Sequence, residues 1–255
     1  MFSPCLRVSV VNPPASHIIA LVSVAENVAQ VHARIAAACA RVKRNPDDVS
    51  LMAVSKTVEP GRIREAYNAG LRVFGENRVQ EFADKSASLH DLQAAEWRLI
   101  GRLQSNKAKK AAELFHAVDS VDSLRLAQRL NDAAREHGKT IPVLIEMNIG
   151  GEESKAGIPL DSPALEELLR GAAQLDHIQV RGLLTVPPYT DDPEGARNFF
   201  RCLRDLRDQI AARKLPRIEM NVLSMGMSHD FEVAIEEGST CVRVGTAIFG
   251  TRPKP

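Results

Sequence analysis

Cysteine is scarce in this 255-residue chain: Cys5, Cys39, Cys202 and Cys241 lie far apart and form no C-x-x-C pair. That argues against a disulfide scaffold or a structural zinc site and fits a reducing cytoplasm. Net charge is also lacking, since 33 basic residues face 32 acidic ones and leave +1. No overall field then draws nucleic acid, an acidic substrate or a membrane surface, so a charged ligand has to be recognised locally. No apolar run approaches the roughly 18 residues that cross a bilayer, and the chain reads as soluble. Residues 1–17 hold no acidic residue, yet their apolar segment is too short and their positive charges too few for a signal or transit peptide. They read as a mobile tail. No repeat, low-complexity tract or linker divides the remainder, which predicts one domain over 18–255.

What is present is an ordinary globular composition, 44% hydrophobic and 25% charged, in an alternating pattern. A long helical segment, "ALVSVAENVAQVHARIAAACARVKR", ends before Asn45 and Pro46. Eight strand candidates follow: "VSLMAVS", "LRVFG", "EWRLIG", "LFHAVDS", "PVLIEMNIG", "IQVRGLL", "RIEMNVLS" and "CVRVG". Most of the segments between them have helical length and composition; "PGRIREAYNAG", for one, starts at Pro60 and stops at Gly70. Short, mostly apolar strands joined by helical crossovers suggest a parallel sheet covered on both faces. The pattern predicts a closed (β/α)8 barrel with an extra N-terminal helix, a doubly wound open sheet being the alternative.

In such barrels the chemistry sits where the strands end. Lys56, at the end of "LMAVSK", has that position on the first strand. Desolvated there, its amine would serve as a Schiff-base nucleophile; the ordinary alternative is a stem packed on the rim with its ammonium in water. The seventh and eighth strands run into "LSMGMS" and "VRVGTAIFG". Glycines and small residues there suit a phosphate held by backbone amides near Gly226, Gly245 and Thr246, with Ser224 donating its hydroxyl. The same glycines would serve equally to turn the chain. A lysine facing a phosphate cradle suggests a phosphorylated aldehyde, of which pyridoxal phosphate is the common case.

The segments "AVSKT", "FGENRVQE", "IGRLQSNK", "SKAGI", "GLLTVPP" and "LSMGMSHDFEVAIEEGSTCVRVGTAIFG" span roughly residues 20–252. By them the chain resembles the pyridoxal phosphate homeostasis protein family, whose barrel is similar to the N-terminal domain of alanine racemase. The resemblance implies that Lys56 forms the internal aldimine and that Ser224, Gly245 and Thr246 meet the phosphate. It likewise implies that Arg243 faces the pyridine nitrogen and that Asn77 is a ring-side contact. Two residues depart from the pattern: Arg98 stands where histidine is usual and Arg102 where proline is usual, which bears on the shape and charge of the rim near the third strand.

The resemblance admits two classes of function, a carrier for the cofactor and an amino-acid racemase. A two-base racemase needs a second proton donor, which alanine racemase takes from a tyrosine of a C-terminal domain of its partner subunit. This chain ends at Pro255, and its tyrosines are Tyr67, expected in the first crossover helix, and Tyr189, expected in the loop after the sixth strand. Arg243 stays protonated, so it donates to the ring nitrogen but cannot accept a hydrogen bond from a pyridinium; alanine racemase works with the same arrangement, so this weighs against turnover only together with the want of a second proton donor. The expectation is therefore a monomeric, non-enzymatic pyridoxal phosphate carrier, with pyridoxal-dependent client enzymes as its partners. A phosphate-binding barrel enzyme without that cofactor would leave Lys56 unexplained. Cys241 reads as a small buried residue, "NKAKK" at 106–110 as a solvated helix face or a client docking surface, and His229 with Asp230 as the opening of a helix.

Overall fold

The structure, a computed structural model, describes residues 23–152 and 155–251; the tail expected at 1–17, with Cys5, lies outside them. The chain enters through α1 (Val24–Arg41), fixed at its start by a reciprocal cap: Ser23 Oγ accepts from the Glu26 amide at 3.1 Å, and Glu26 accepts from the Ser23 amide at 2.9 Å. Val24, Val28, Val31, Ile35 and Ala38 recur at helical spacing and are all buried.

The strands are β1 (Ser50–Val54), β2 (Val73–Glu76), β3 (Glu96–Leu99), β4 (Ala117–Val121) and β5 (Ile141–Asn148), then a two-residue β6 (Ile158–Pro159), β7 (Ile178–Thr185), β8 (Ile218–Met227) and β9 (Cys241–Val244). Every pairing is parallel, and β4 bonds β5 while β1 bonds β9, so the sheet closes into an eight-stranded barrel with β6 appended to β5. Closure excludes the open sheet. The crossovers are α2 (Pro60–Asn68), α3 (Val79–Ser86), α4 (Ala108–Leu114), α5 (Leu124–Glu136), α6 (Pro163–Ala172), α7 (Arg197–Ala212) and α8 (Phe231–Glu236), and a short α9 (Thr246–Phe249) follows β9. No helix among the described residues is long and apolar enough to cross a membrane.

Side chains alternate along a strand, and here the two faces differ sharply in chemistry. The outer face carries the apolar core, as where Phe82 of α3 stacks on Trp97 at 4.8 Å and on Phe115 at 4.9 Å. The lumen is polar at mid-depth: Arg98, Asp119, Glu146, Ser224 and Arg243 are all buried there beside Met52, Val54 and Cys241. Gly75 makes room for them. A Cβ at that position would lie 2.7 Å from Met52 Sδ. Arg98 is thus a lumen residue, its Nη2 3.0 Å from Asp119 Oδ1, and not part of the rim that the sequence suggested; Arg102 is exposed beyond the strand. Lys107, Lys109 and Lys110 of "NKAKK" are exposed, as a solvated helix face requires.

α1 returns to the end of the barrel, where Arg34 donates to both oxygens of Glu232 at 2.7 and 2.9 Å and Asn27 donates to the Ile248 carbonyl. Next to it, Glu237 at the end of α8 is 5% exposed and collects Arg197, Arg201 and Arg204 of α7 at 3.0, 3.0 and 2.9 Å. This clamp fixes α8, and with it the β8–α8 loop. Glu237→Ala would leave three cations together, but these are partly exposed and can turn to water, so the expected loss is about 2 kcal/mol rather than the larger cost of a fully buried pair. Calorimetry should find a melting temperature lower by roughly 4–8 °C; an unchanged one would contradict the clamp.

Candidate functional site

Lys56 follows β1 by two residues, and alternation from Met52 and Val54 places it on the lumen side of the barrel mouth, half-buried. The residues on either side of it are tied down by α3 and β2. Ser55 Oγ donates to Glu76 Oε1 at 2.6 Å, and Lys85 Nζ donates to the Ser55 carbonyl at 3.0 Å while pairing with Glu76 at 2.9 Å and Glu81 at 3.2 Å. Glu81 in turn accepts from the Thr57 amide. Thr57 has φ of 59°, a left-handed conformation that costs a β-branched residue on the order of 1–3 kcal/mol. The carboxylate–amide bond offsets that cost. Burial pushes the Glu76 carboxyl up, against the pull of Lys85 and Ser55; burial also raises Glu81, but the Thr57 amide and Lys85 outweigh it and hold Glu81 below its usual value.

Below the mouth, Arg243 of β9 is enclosed by the lumen. Its Nη1 donates to Ser224 Oγ at 2.8 Å and its Nη2 to the Thr185 carbonyl at 2.7 Å. Burial lowers its pKa, and Cys241, Asp119, Glu146 and Asp230 push the other way. The acids that face it are raised by the same desolvation: Asp119 to about 6, against Arg98 and Arg243, and Glu146 to about 7, against Arg243. Glu146 Oε2 is buried and has no hydrogen-bond partner among the described residues. The lumen therefore holds charge that its own side chains only partly satisfy.

At the rim, Gly245 ends β9 against Val54, where a Cβ would meet the Val54 carbonyl oxygen at 3.4 Å. The amides of Gly245 and Ala247 both point at one atom, Ser228 Oγ, each at 3.3 Å. Two donors converging on a single oxygen at that length are weakly satisfied, and an anion's oxygen suits them better than a hydroxyl. Thr246 lies between them and, with Gly245, Val54 and Thr57, lines a cavity of about 180 Å³. Gly245 and Thr246 thus follow the end of β9 beside β1, which Lys56 follows by two residues, while Arg243 and Ser224 bond each other deeper in the lumen. Ser224 itself is fully buried on Arg243, and the hydroxyl at the converging amides is that of Ser228. Gly226 has φ of 94° and no room for a Cβ, which would lie 2.6 Å from Ala234 Cβ; it serves the close approach of α8. Asn77 lies across the mouth against Gly101, where a Cβ would come within 2.6 Å of Asn77 Oδ1. Asp230 Oδ1 accepts from the Met227 amide at 2.6 Å just ahead of α8, and Cys241 is buried in the lumen.

The family described as alanine racemase, N-terminal domain, matches residues 19–253. The pyridoxal phosphate homeostasis protein of Aquifex aeolicus is 46% identical over 227 residues, which cover 89% of this chain and 97% of that one. The chain belongs to the pyridoxal phosphate homeostasis protein family. A solved structure of Synechococcus elongatus PipY with pyridoxal phosphate bound is 38% identical and superposes with a TM-score of 0.78, covering 89% of this chain and all of that one. An alanine racemase of Clostridium difficile, at 15% identity and a TM-score of 0.67, covers 92% of this chain and 58% of its own, and shares the fold alone. The residues present fit the cofactor in that family's name. They offer an amine at the mouth, convergent amides for a dianion and a buried cation beneath.

Sequence reasoning missed Ser228, although "LSMGMS" contains it, because it favoured the serine nearer the strand. The Glu76–Lys85–Glu81 brace was also missed; its visible trace was Glu81 and Lys85 at i, i+4 on a helix. Asp119 and Glu146 stood unremarked inside "LFHAVDS" and "PVLIEMNIG", where alternation would have turned both inward.

Two measurements check this geometry. Glu81→Ala should speed hydrogen exchange of the Thr57 amide by about tenfold, the scale of one charge-assisted bond at a partly exposed site; an unchanged rate would detach α3 from the turn. For Glu146, a folded-state pKa of about 7 lies above the 4.5 of the free group. Its ionisation thus costs no stability below pH 4.5, and stability is lost as pH rises from there through 7, where the loss is complete. Glu146→Gln should be more stable than the parent at pH 8 by on the order of 1–3 kcal/mol and converge with it near pH 4. Denaturant curves that stay parallel across that range would refute the assignment.

Proposed function

We propose that the chain binds pyridoxal 5'-phosphate through Lys56 and serves to hold and release that cofactor within the cell, without efficient turnover of amino acids. What supports the reading is a lysine two residues past β1, the Arg243 guanidinium buried in the lumen, and the Gly245 and Ala247 amides aimed at one oxygen position beside β1. When bound, the cofactor supplies an electrophilic aldehyde carbon and an electron-withdrawing ring.

This chain's residues divide the work. Lys56 offers the amine, and the brace on Ser55 and Thr57 fixes where that amine emerges. The amides of Gly245 and Ala247, with Thr246 and Ser228, take the phosphate. Arg243 would present an N–H donor to a ring nitrogen and disfavour its protonation, which would weaken the ring as an electron sink. Asn77, against Gly101, would be a ring-side contact. Ser224 belongs to this site by orienting Arg243, and Gly226 by shaping the loop that carries Ser228.

The non-enzymatic reading rests on Arg243 and on the tyrosines. Tyr67 packs on the Arg72 guanidinium at 4.2 Å in α2, outside the barrel, and Tyr189 is 76% exposed in the loop after β7, its ring 5.5 Å from His229. Neither is held as a fixed acid above Lys56. Pyridoxal-dependent client enzymes would receive the cofactor from a monomer, one domain spanning 18–255, in the cytoplasm.

Borohydride treatment of the loaded protein should leave a pyridoxyl phosphate mass on the peptide containing Lys56, and Lys56→Ala should lose it. The label on another lysine would overturn the assignment. With L-alanine in deuterated water, Cα exchange should be slow and chirality kept; rapid formation of the D-enantiomer, abolished in Lys56→Ala, would establish a racemase instead.

A further inference from the structure

Arginine in this protein is almost always spoken for. Every described arginine has a side-chain hydrogen bond or ion pair to another described residue except Arg78, Arg102, Arg125 and Arg129. Three of those four line one cavity, and the fourth follows Arg125 by one turn of α5. The cavity measures about 830 Å³ and opens beside the barrel mouth, where the loops after β2, β3 and β4 meet. Lys107 also lines it, and it too has no ion pair among the described residues. Asp122 is the one acid in the lining.

Four cations around one acid are a strong local concentration in a chain whose net charge is +1. They arise on three separate segments, after β2, after β3 and in the first turn of α5, so no single helix periodicity accounts for them. Like charges brought together without direct ion pairs repel, and the chain elsewhere avoids this by pairing, as around Glu237. The floor differs from the rim: Val79, Leu103 and Leu126 are 8%, 6% and 2% exposed. An apolar floor beneath a cationic rim, in a volume typical of small-molecule sites, suits an organic anion better than bulk counterions. Ser105 and Ser123 add hydroxyls, and Ser123 caps the 13-residue α5, whose positive end lies at the same edge.

We propose that this cavity binds a small, multiply charged organic oxyanion, a phosphate ester or a polycarboxylate, at a site separate from Lys56 and the Gly245 amides. Arg78, Arg102 and Arg125 supply bidentate N–H pairs and Lys107 a point charge. Arg102 also acts on Glu146 through the field at the mouth, so an occupant that neutralises it changes the electrostatics of the lumen. The site stands independently of the cofactor reading, because none of its residues belongs to the Lys56 site.

The test is calorimetric titration of the purified full chain at fixed ionic strength with two probes, pyrophosphate and citrate, against chloride as control. The parent should bind one or both saturably. The triple variant Arg78→Gln, Arg102→Gln, Arg125→Gln should bind at least tenfold more weakly, with its circular dichroism spectrum and cooperative thermal unfolding retained as proof of fold. Arg129→Gln, outside the lining, should change the affinity less than threefold. Tighter binding of pyrophosphate would identify a phosphate ligand, and of citrate a carboxylate one. Equal affinity in parent and triple variant, or no saturable binding by the parent, would overturn the proposal. So would a short RNA that bound through the same arginines far more tightly than either probe, since that would make the surface a nucleic-acid site.

Discussion

Arg243 carries a guanidinium into the lumen of the barrel, and taking that charge out of water dictates the residues around it. An isolated buried charge is too costly to keep, so it must be answered by hydrogen bonds and opposite charge. β8 answers with the Ser224 hydroxyl and β7 with the Thr185 carbonyl. Glu146 on β5 and Asp119 on β4 add carboxylates, and Arg98 on β3 then balances Asp119. The interior that most barrels fill with branched aliphatic side chains is given over here to a polar network. That network leaves at least one carboxylate oxygen without a partner, a cost that makes sense if the mouth above it has work to do.

The second constraint acts on Lys56. A flexible four-carbon amine is useful only if its starting point is fixed, and here the fixing is done to its neighbours. Ser55 is held by its hydroxyl and carbonyl, Thr57 by its amide, and all three bonds end on Glu76, Glu81 or Lys85. α3 and β2 therefore set the position of a residue just past β1. The Glu237 clamp does the equivalent for the loop that carries Ser228, through α7 and α8. Two charged braces, one beside β1 and one beside β9, thus flank the same part of the mouth.

The alternation of short apolar strands with amphipathic segments made the barrel legible, and it held because period-2 and period-3.6 patterns report directly on burial. That Lys56 stands where β1 leaves the barrel was legible from the buried strand before it, and that the chain turns at Gly245 and Thr246 from the small residues around them. Ser224 illustrates the limit. Sequence shows that a serine ends a strand but not which way it faces, and alternation turns Ser224 to Arg243 while Ser228, four residues on, reaches the amides. Arg98 shows the same limit, since a departure from a family pattern locates a residue along the chain but not across the sheet. The cationic cavity was invisible for a further reason: its arginines are 24 and 23 residues apart in sequence and meet only when the loops after β2, β3 and β4 are folded side by side.

The central claim is that the Lys56 amine, the Arg243 guanidinium and the Gly245 and Ala247 amides form one site. A crystal structure of the protein grown with pyridoxal phosphate tests it most directly. The account predicts phosphate oxygens within hydrogen-bond distance of both amides, continuous density between the cofactor and Lys56 Nζ, and Arg243 still held by Ser224. A cofactor seated with its phosphate among Arg78, Arg102 and Arg125, and with Lys56 unattached, would contradict it.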